Sequence, residues 1–217
     1  MNSISSLRTG AAWPRVFAMF CVVLALFGQG VARAAEIVIG QVAPLTGVLA
    51  SSGEQMVLGG KIYFDAVNAQ GGVHGATLHQ LVVDDGYDVS KTVARTRELL
   101  ARPDVVALFG FAGTANITQL LKDGVLADGG AALVAPYTGG ESLRSPFNPW
   151  IFHVRAGYVD EAEHMVQQLT TLGMNRIAVL YADDSFGADG VAGAQKGLDA
   201  ARLQPVVLDK FNRAQPD

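Results

Sequence analysis

The chain has 217 residues, half of them hydrophobic, with 25 glycines and a formal net charge of −4 at neutral pH. That length supports a buried core of its own, and the acidic balance argues against nucleic acid or an anionic membrane surface as a partner. Cys21 is the only cysteine, which excludes an intramolecular disulfide.

The first stretch reads as an export signal. Arg8 and Arg15 precede an apolar run at 16–27, which is short for a bilayer span and is interrupted by Gly28, Gln29 and Gly30. Ala32-Arg33-Ala34 fits a small-x-small cleavage site, so the mature protein is expected to begin at Ala35, free of thiol, and to be periplasmic. After it, 36–42 (EIVIGQV) reads as a buried strand. Helical spacing follows over 53–69, carried by Met56, Ile62, Tyr63, Ala66 and Val67 and stopped at Gly71-Gly72. Residues 77–83 form a second strand closed by Asp84-Asp85-Gly86. Asp88 or Ser90 caps a helix that Pro103 terminates.

The stretch 105–121 (VVALFGFAGTANITQLL) organises the rest. An apolar strand at 105–109 runs into a turn of small residues, 110–115, and then into a helix that the pattern carries to 128–130. Such a turn points backbone N–H groups outward at a helix start, where the dipole adds positive charge, and so suits a carboxylate or phosphate. An ordinary strand–helix loop has the same glycines for purely geometric reasons. A fourth strand at 131–135 ends at Pro136. After a break rich in Gly and Pro, 151–154 is a short strand. Helix 160–172, strand 177–181, helix 189–201 and strand 205–211 complete the chain. Alternating strands and helices predict an α/β fold with a parallel sheet covered by helices on both faces, and a site at the carboxyl ends of its strands.

Enzyme chemistry has no visible basis. The turn at 110–114 lacks the lysine of a P-loop, and no G-x-G-x-x-G is present. His74, His79, His153 and His164 fall in different elements without metal-ligand spacing. Asp84-Asp85 and Asp183-Asp184 are read as capping and loop acids. Asn116-Ile117-Thr118 matches a glycosylation sequon but begins a helix. No catalytic residue, metal or cofactor is expected.

The export signal, IVIGQVAPLTG with Gly53 and Gly60, NAQGGVHG, LVVDDGYD, FGFAGTA, VAPYTGG, FHVRAGYVDE and IAVLYADDSFG follow one another in an order that resembles the periplasmic substrate-binding proteins of branched-chain amino-acid ABC transporters. The resemblance covers residues 36–211. It implies a type I periplasmic-binding-protein-like clamshell, with lobe one at 35–154 nearly complete and lobe two at 155–217 only begun, as in a truncated product. It implies an extracytoplasmic receptor for an amino acid or related small carboxylate, with a membrane permease as partner. A sensor domain of a signalling receptor is the alternative. By the same resemblance Gly113, Thr114 and Ala115 hold the ligand carboxylate, and Tyr137 and Thr138 face its ammonium group. Phe186 and Tyr158 form a wall, and Ser52 lies where the first loop meets the cleft. The sequence departs from the family at Gly139, where the pattern has threonine; Thr138 substitutes for it, or the ligand differs.

Overall fold

Five parallel strands form the frame that positions the strand-end loops. The computed structural model describes residues 35–213; the export segment and its cleavage after Ala34 lie outside the described residues. Strand β1 (Glu36–Ala43) lies between β2 (Thr77–Asp84) and β3 (Val105–Phe109), and β4 (Leu133–Val134) and β5 (Ile151–Phe152) extend the sheet. Parallel neighbours require crossovers. These are α1 (Ala50–Ala69), α2 (Val89–Leu100) and the pair α3 (Thr114–Lys122) and α4 (Val125–Gly129). The predicted single helix from Asn116 onward is two helices, because Gly124 takes a left-handed φ of +66° and breaks it. The core gathers Val42, Leu108, Phe111, Ile117, Leu120 and Leu133, all fully buried. The β1–β3 register is irregular at Val106, which is skipped between the pairs Val38–Val105 and Ile39–Ala107 and is exposed, whereas Leu108 is in the core.

Helix α1 docks differently from the expected stripe. Ile62 and Tyr63 are 61% and 68% exposed. The docked face is instead Gly53, Val57, Gly60 and Phe64, a period of three and four residues. A Cβ on Gly53 would overlap the Pro44 carbonyl oxygen, and one on Gly60 would lie 2.9 Å from Gln80 Nε2 and 3.1 Å from the Phe109 ring. The stripe centres on glycines, so a count of apolar side chains rotates it.

A second, two-stranded parallel sheet pairs β6 (Ala178–Ala182) with β7 (Val207–Phe211), with α5 (Tyr158–Thr171) and α6 (Ser185–Ala200) packed on it. Helix α6 begins four residues earlier than the sequence suggests, because Asp184 caps it by accepting from Gly187 N–H at 3.0 Å. Hydrogen bonds join the two sheets' elements. The Tyr158 N–H donates to Gly139 O at 2.8 Å. Arg144 donates to the carbonyls of Arg155 and Ala156 at 2.9 and 3.0 Å, and the Glu141 N–H donates to Asp189 Oδ2 at 3.0 Å.

Candidate functional site

The carboxyl ends of β1 to β4 are tied together before any ligand is considered. Gln41, fully buried in β1, donates to Gly110 O at 3.2 Å and accepts from Gln80 at 2.5 Å, which fixes where β3 ends. Asp84 Oδ1 accepts from the N–H groups of Leu45, Thr46 and Gly86, and its Oδ2 accepts from the Thr46 hydroxyl at 2.7 Å. The Thr46 hydroxyl, helped by those amides against a burial penalty, holds the Asp84 carboxyl below its ordinary range. Asp85, 2% exposed, accepts from Thr92 Oγ1 at 2.5 Å and from Tyr87 N–H at 2.9 Å; burial pushes its carboxyl up, against those bonds. Thr92 in turn accepts from Asn116 Nδ2 at 2.8 Å, so the α2 start and the α3 start are one network. The acid pairs therefore act as loop and cap acceptors, and buried Asn116 belongs to that network.

The turn itself runs from Gly110 to Gly113. Gly113 is the N-cap of α3, with φ +97° and ψ 126°. Its lack of a side chain leaves room for the Tyr87 ring, whose Cε2 would lie 2.8 Å from a Cβ there. Thr114, 2% exposed, shares a 2.7 Å hydrogen bond between its hydroxyl and that of Thr138, and Thr138 Oγ1 also accepts from Gly140 N–H at 3.1 Å. The Tyr137 N–H donates to Phe111 O at 2.7 Å, which lays the β4 loop beside the turn.

A cleft of about 640 Å³ opens over this turn, bounded on the other side by elements of the second sheet. Its lining brings together Ser52, Gly113, Thr114, Tyr137, Tyr158 and Phe186. Two expected residues are elsewhere. Thr138 is fully buried behind Thr114, committed to that hydroxyl and to Gly140, and Ala115 is exposed outside the lining. Part of the volume runs along the apolar residues of β6 and α5, such as Val179 and Met165. Phe186, predicted to lie in a loop, stands in the first turn of α6, 40% exposed, with its ring edge-on to Tyr158 at 4.9 Å.

Among the lining residues that the sequence did not point to are Tyr87, Arg155 and Arg213. Tyr87 adopts φ +64° in the loop after β2, a position that only a structure reveals; burial pushes its phenol up. The Arg155 guanidinium forms a bidentate pair with Glu161 at 2.6 Å and lies over the rings of Tyr137 and Tyr158, 5.6 and 5.1 Å from their centroids. Arg213 pairs with Asp184 at 2.8 Å and lies over Phe186 at 4.8 Å. Arg155 sits inside the FHVRAGY stretch and could have been found there; Arg213 follows β7 with no motif around it.

Among the described residues no group of three or more His, Cys, Asp or Glu is placed to hold an ion. The histidines are locally engaged, His153 with Leu143 O at 3.1 Å and His164 with Asp160 O at 2.9 Å. Among the described residues no helix is long and apolar enough to cross a membrane.

A family model described as periplasmic binding protein matches residues 36–217. The Leu/Ile/Val-binding protein homolog 3 of Brucella melitensis is 26% identical over 173 residues, which span 79% of this chain and 46% of that protein. An amino acid binding protein of Pseudomonas aeruginosa is 24% identical over 199 residues, 90% of this chain and 52% of the relative. The solved substrate-binding periplasmic protein from Ralstonia solanacearum shares 34% identity and a TM-score of 0.77, covering 82% of this chain and 50% of that one. The chain thus spans about half the length of the relatives it matches.

Proposed function

We infer the function from one premise: this chain belongs to the periplasmic binding protein family. It is an extracytoplasmic receptor that binds an amino acid or related small carboxylate and presents it to an ABC-type transporter in the membrane. The names of its relatives, which include Leu/Ile/Val-binding and amino acid binding proteins, support that class. Export with cleavage after Ala34 belongs to the same reading.

One observation carries it. The N-terminal turn of α3, with its outward N–H groups and the Thr114 hydroxyl, opens into a cleft whose opposite wall comes from a second sheet. When Thr138 donates to Thr114, the Thr114 hydroxyl keeps its own proton for a ligand oxygen. The two sheets act as lobes on either side of residues 154–157, and occupancy couples to their closure. Shape, rather than turnover, is what a permease reads.

Removing one hydrogen bond to a charged group costs about 1.5–3 kcal/mol. In the exported protein at its natural length, Thr114→Ala is expected to weaken carboxylate binding by about tenfold or more. Thr114→Ser, which keeps the hydroxyl, is expected to bind nearly as tightly as the parent. Calorimetric titration of both variants is the test; an unchanged dissociation constant for Thr114→Ala takes the turn out of the site.

A further inference from the structure

The two threonine hydroxyls behind the turn have a fixed order of donors. A hydroxyl carries one proton and accepts at its lone pairs. Thr138 Oγ1 accepts from the Gly140 N–H at 3.1 Å, and a backbone N–H can only donate, so that bond has one direction. The 2.7 Å bond between Thr138 Oγ1 and Thr114 Oγ1 admits either direction by its geometry alone. Burial decides between them. Thr138 is fully buried, and among the described residues its hydroxyl meets no acceptor other than Thr114 Oγ1. With Thr114 as donor, the Thr138 proton would be buried and unpaired, which is costly. With Thr138 as donor, every buried group is satisfied, and the proton left over is that of Thr114, which lines the cleft.

The Thr114 side chain is held in this orientation from its other branch. A Cβ on Gly140 would lie 2.5 Å from Thr114 Cγ2. The bare glycine therefore receives the methyl group, and an exchange of methyl and hydroxyl would break the bond to Thr138. The loop that carries Thr138 is tied down as well, by Tyr137 N–H to Phe111 O at 2.7 Å and Thr138 N–H to Pro136 O at 2.9 Å.

The groups beside the Thr114 hydroxyl are also donors. The first N–H groups of α3 have no carbonyl one turn before them, and Gly113 supplies no side-chain cap. An anchor made of donors matches a group with two acceptor oxygens. It mismatches a carboxamide, whose NH2 would face an N–H or O–H.

On the receptor reading above, which this deepens, we propose that Thr138 is a positioning residue: the chain from Gly140 N–H through the Thr138 hydroxyl fixes Thr114 as a donor, so the turn takes a carboxylate and rejects the matching carboxamide.

Neutron diffraction from deuterium-exchanged, ligand-free crystals of the exported protein at its natural length tests the order of donors. The Thr138 deuteron is expected between the two hydroxyl oxygens and the Thr114 deuteron directed into the cleft. Titration calorimetry with L-leucine and L-leucinamide, which differ at the carboxyl end, tests the consequence. The parent is expected to bind leucine at least about tenfold tighter than leucinamide. In Thr138→Val, which keeps the shape and removes the hydroxyl, Thr114 is free to turn and accept an amide N–H. The preference is expected to fall to within about threefold, and Thr138→Ser is expected to restore it. A loss of affinity for both probes with the preference unchanged is what a merely structural role gives, and it overturns the proposal. Reversed deuterons beside tight leucine binding overturn it too and leave the receptor reading in place. Binding of neither probe by the parent overturns the selection proposed here and counts against the receptor reading as well.

Discussion

Gly113→Ala is expected to lower the melting temperature by roughly 5–10 °C and to abolish ligand binding, as read by thermal denaturation and calorimetry. Gly113 holds φ +97° with an extended ψ of 126°, a combination that costs a residue with a Cβ about 1–3 kcal/mol. Space adds to strain. The new methyl would overlap the Asn116 side chain and lie 2.8 Å from the Tyr87 ring. Asn116 cannot retreat without releasing Thr92, and Thr92 holds the buried Asp85. The disturbance therefore travels from the turn into the network joining α2 and α3, and moves the Tyr87 ring that lines the cleft. A melting temperature and an affinity both within error of the parent would show that the turn is not the rigid support described here.

Gly193→Val is expected to cost about 3 kcal/mol or more, a larger loss than typical overpacking of 1–3 kcal/mol. Gly193 and Gly197 are one turn apart on α6 and face α5. A Cβ at 193 would overlap the Val159 carbonyl and lie 2.9 Å from Ala162 Cβ; one at 197 would lie 2.7 Å from Val166 Cβ. Backbone against backbone leaves no flexible side chain to give way. The cluster behind this crossing is small, with Val166, Ile177, Ala194 and Leu198 as its buried members, so little packing remains to absorb a separation of the helices. Gly190→Ala on the same helix is the control. No heavy atom lies within 4 Å of a Cβ there, and the change is expected to be neutral or stabilising by up to about 1 kcal/mol. Hydrogen exchange of α5 and α6 checks both; equal protection in Gly193→Val and Gly190→Ala would contradict the close crossing.

The strands and the site turn were legible because their signals are local. β-branched runs at β1 and β3 and the glycines that end them need no tertiary information. What failed to show was decided by contacts between elements. The docked face of α1 is centred on Gly53 and Gly60, which carry no hydrophobic signal, so apolar spacing points to Ile62 and Tyr63, which are in fact exposed. The pattern starts this helix at Asp189, whereas Asp184 caps it, so Phe186 lies in its first turn. Asp189 instead accepts a bond from Glu141, across the two sheets. Thr138 and Thr114 look equivalent in sequence, yet only Thr114 reaches the cleft; the hydrogen bond between them decides which one stands in front. Arg213 joins the site through its pairing with Asp184, twenty-nine positions away in the chain, and through its position over the Phe186 ring.

We propose that the turn at the start of α3 anchors a carboxylate between the two sheets. The most direct measurement is a crystal structure of the exported protein, at its natural length, grown with the tightest-binding carboxylate found by calorimetry. A ligand oxygen is expected about 2.7–3.0 Å from Thr114 Oγ1 and from a backbone N–H of that turn, with the body of the ligand against Tyr158 and Phe186. A ligand bound in the cleft with its carboxylate on Arg155 or Arg213 instead, and Thr114 still paired only with Thr138, would contradict it.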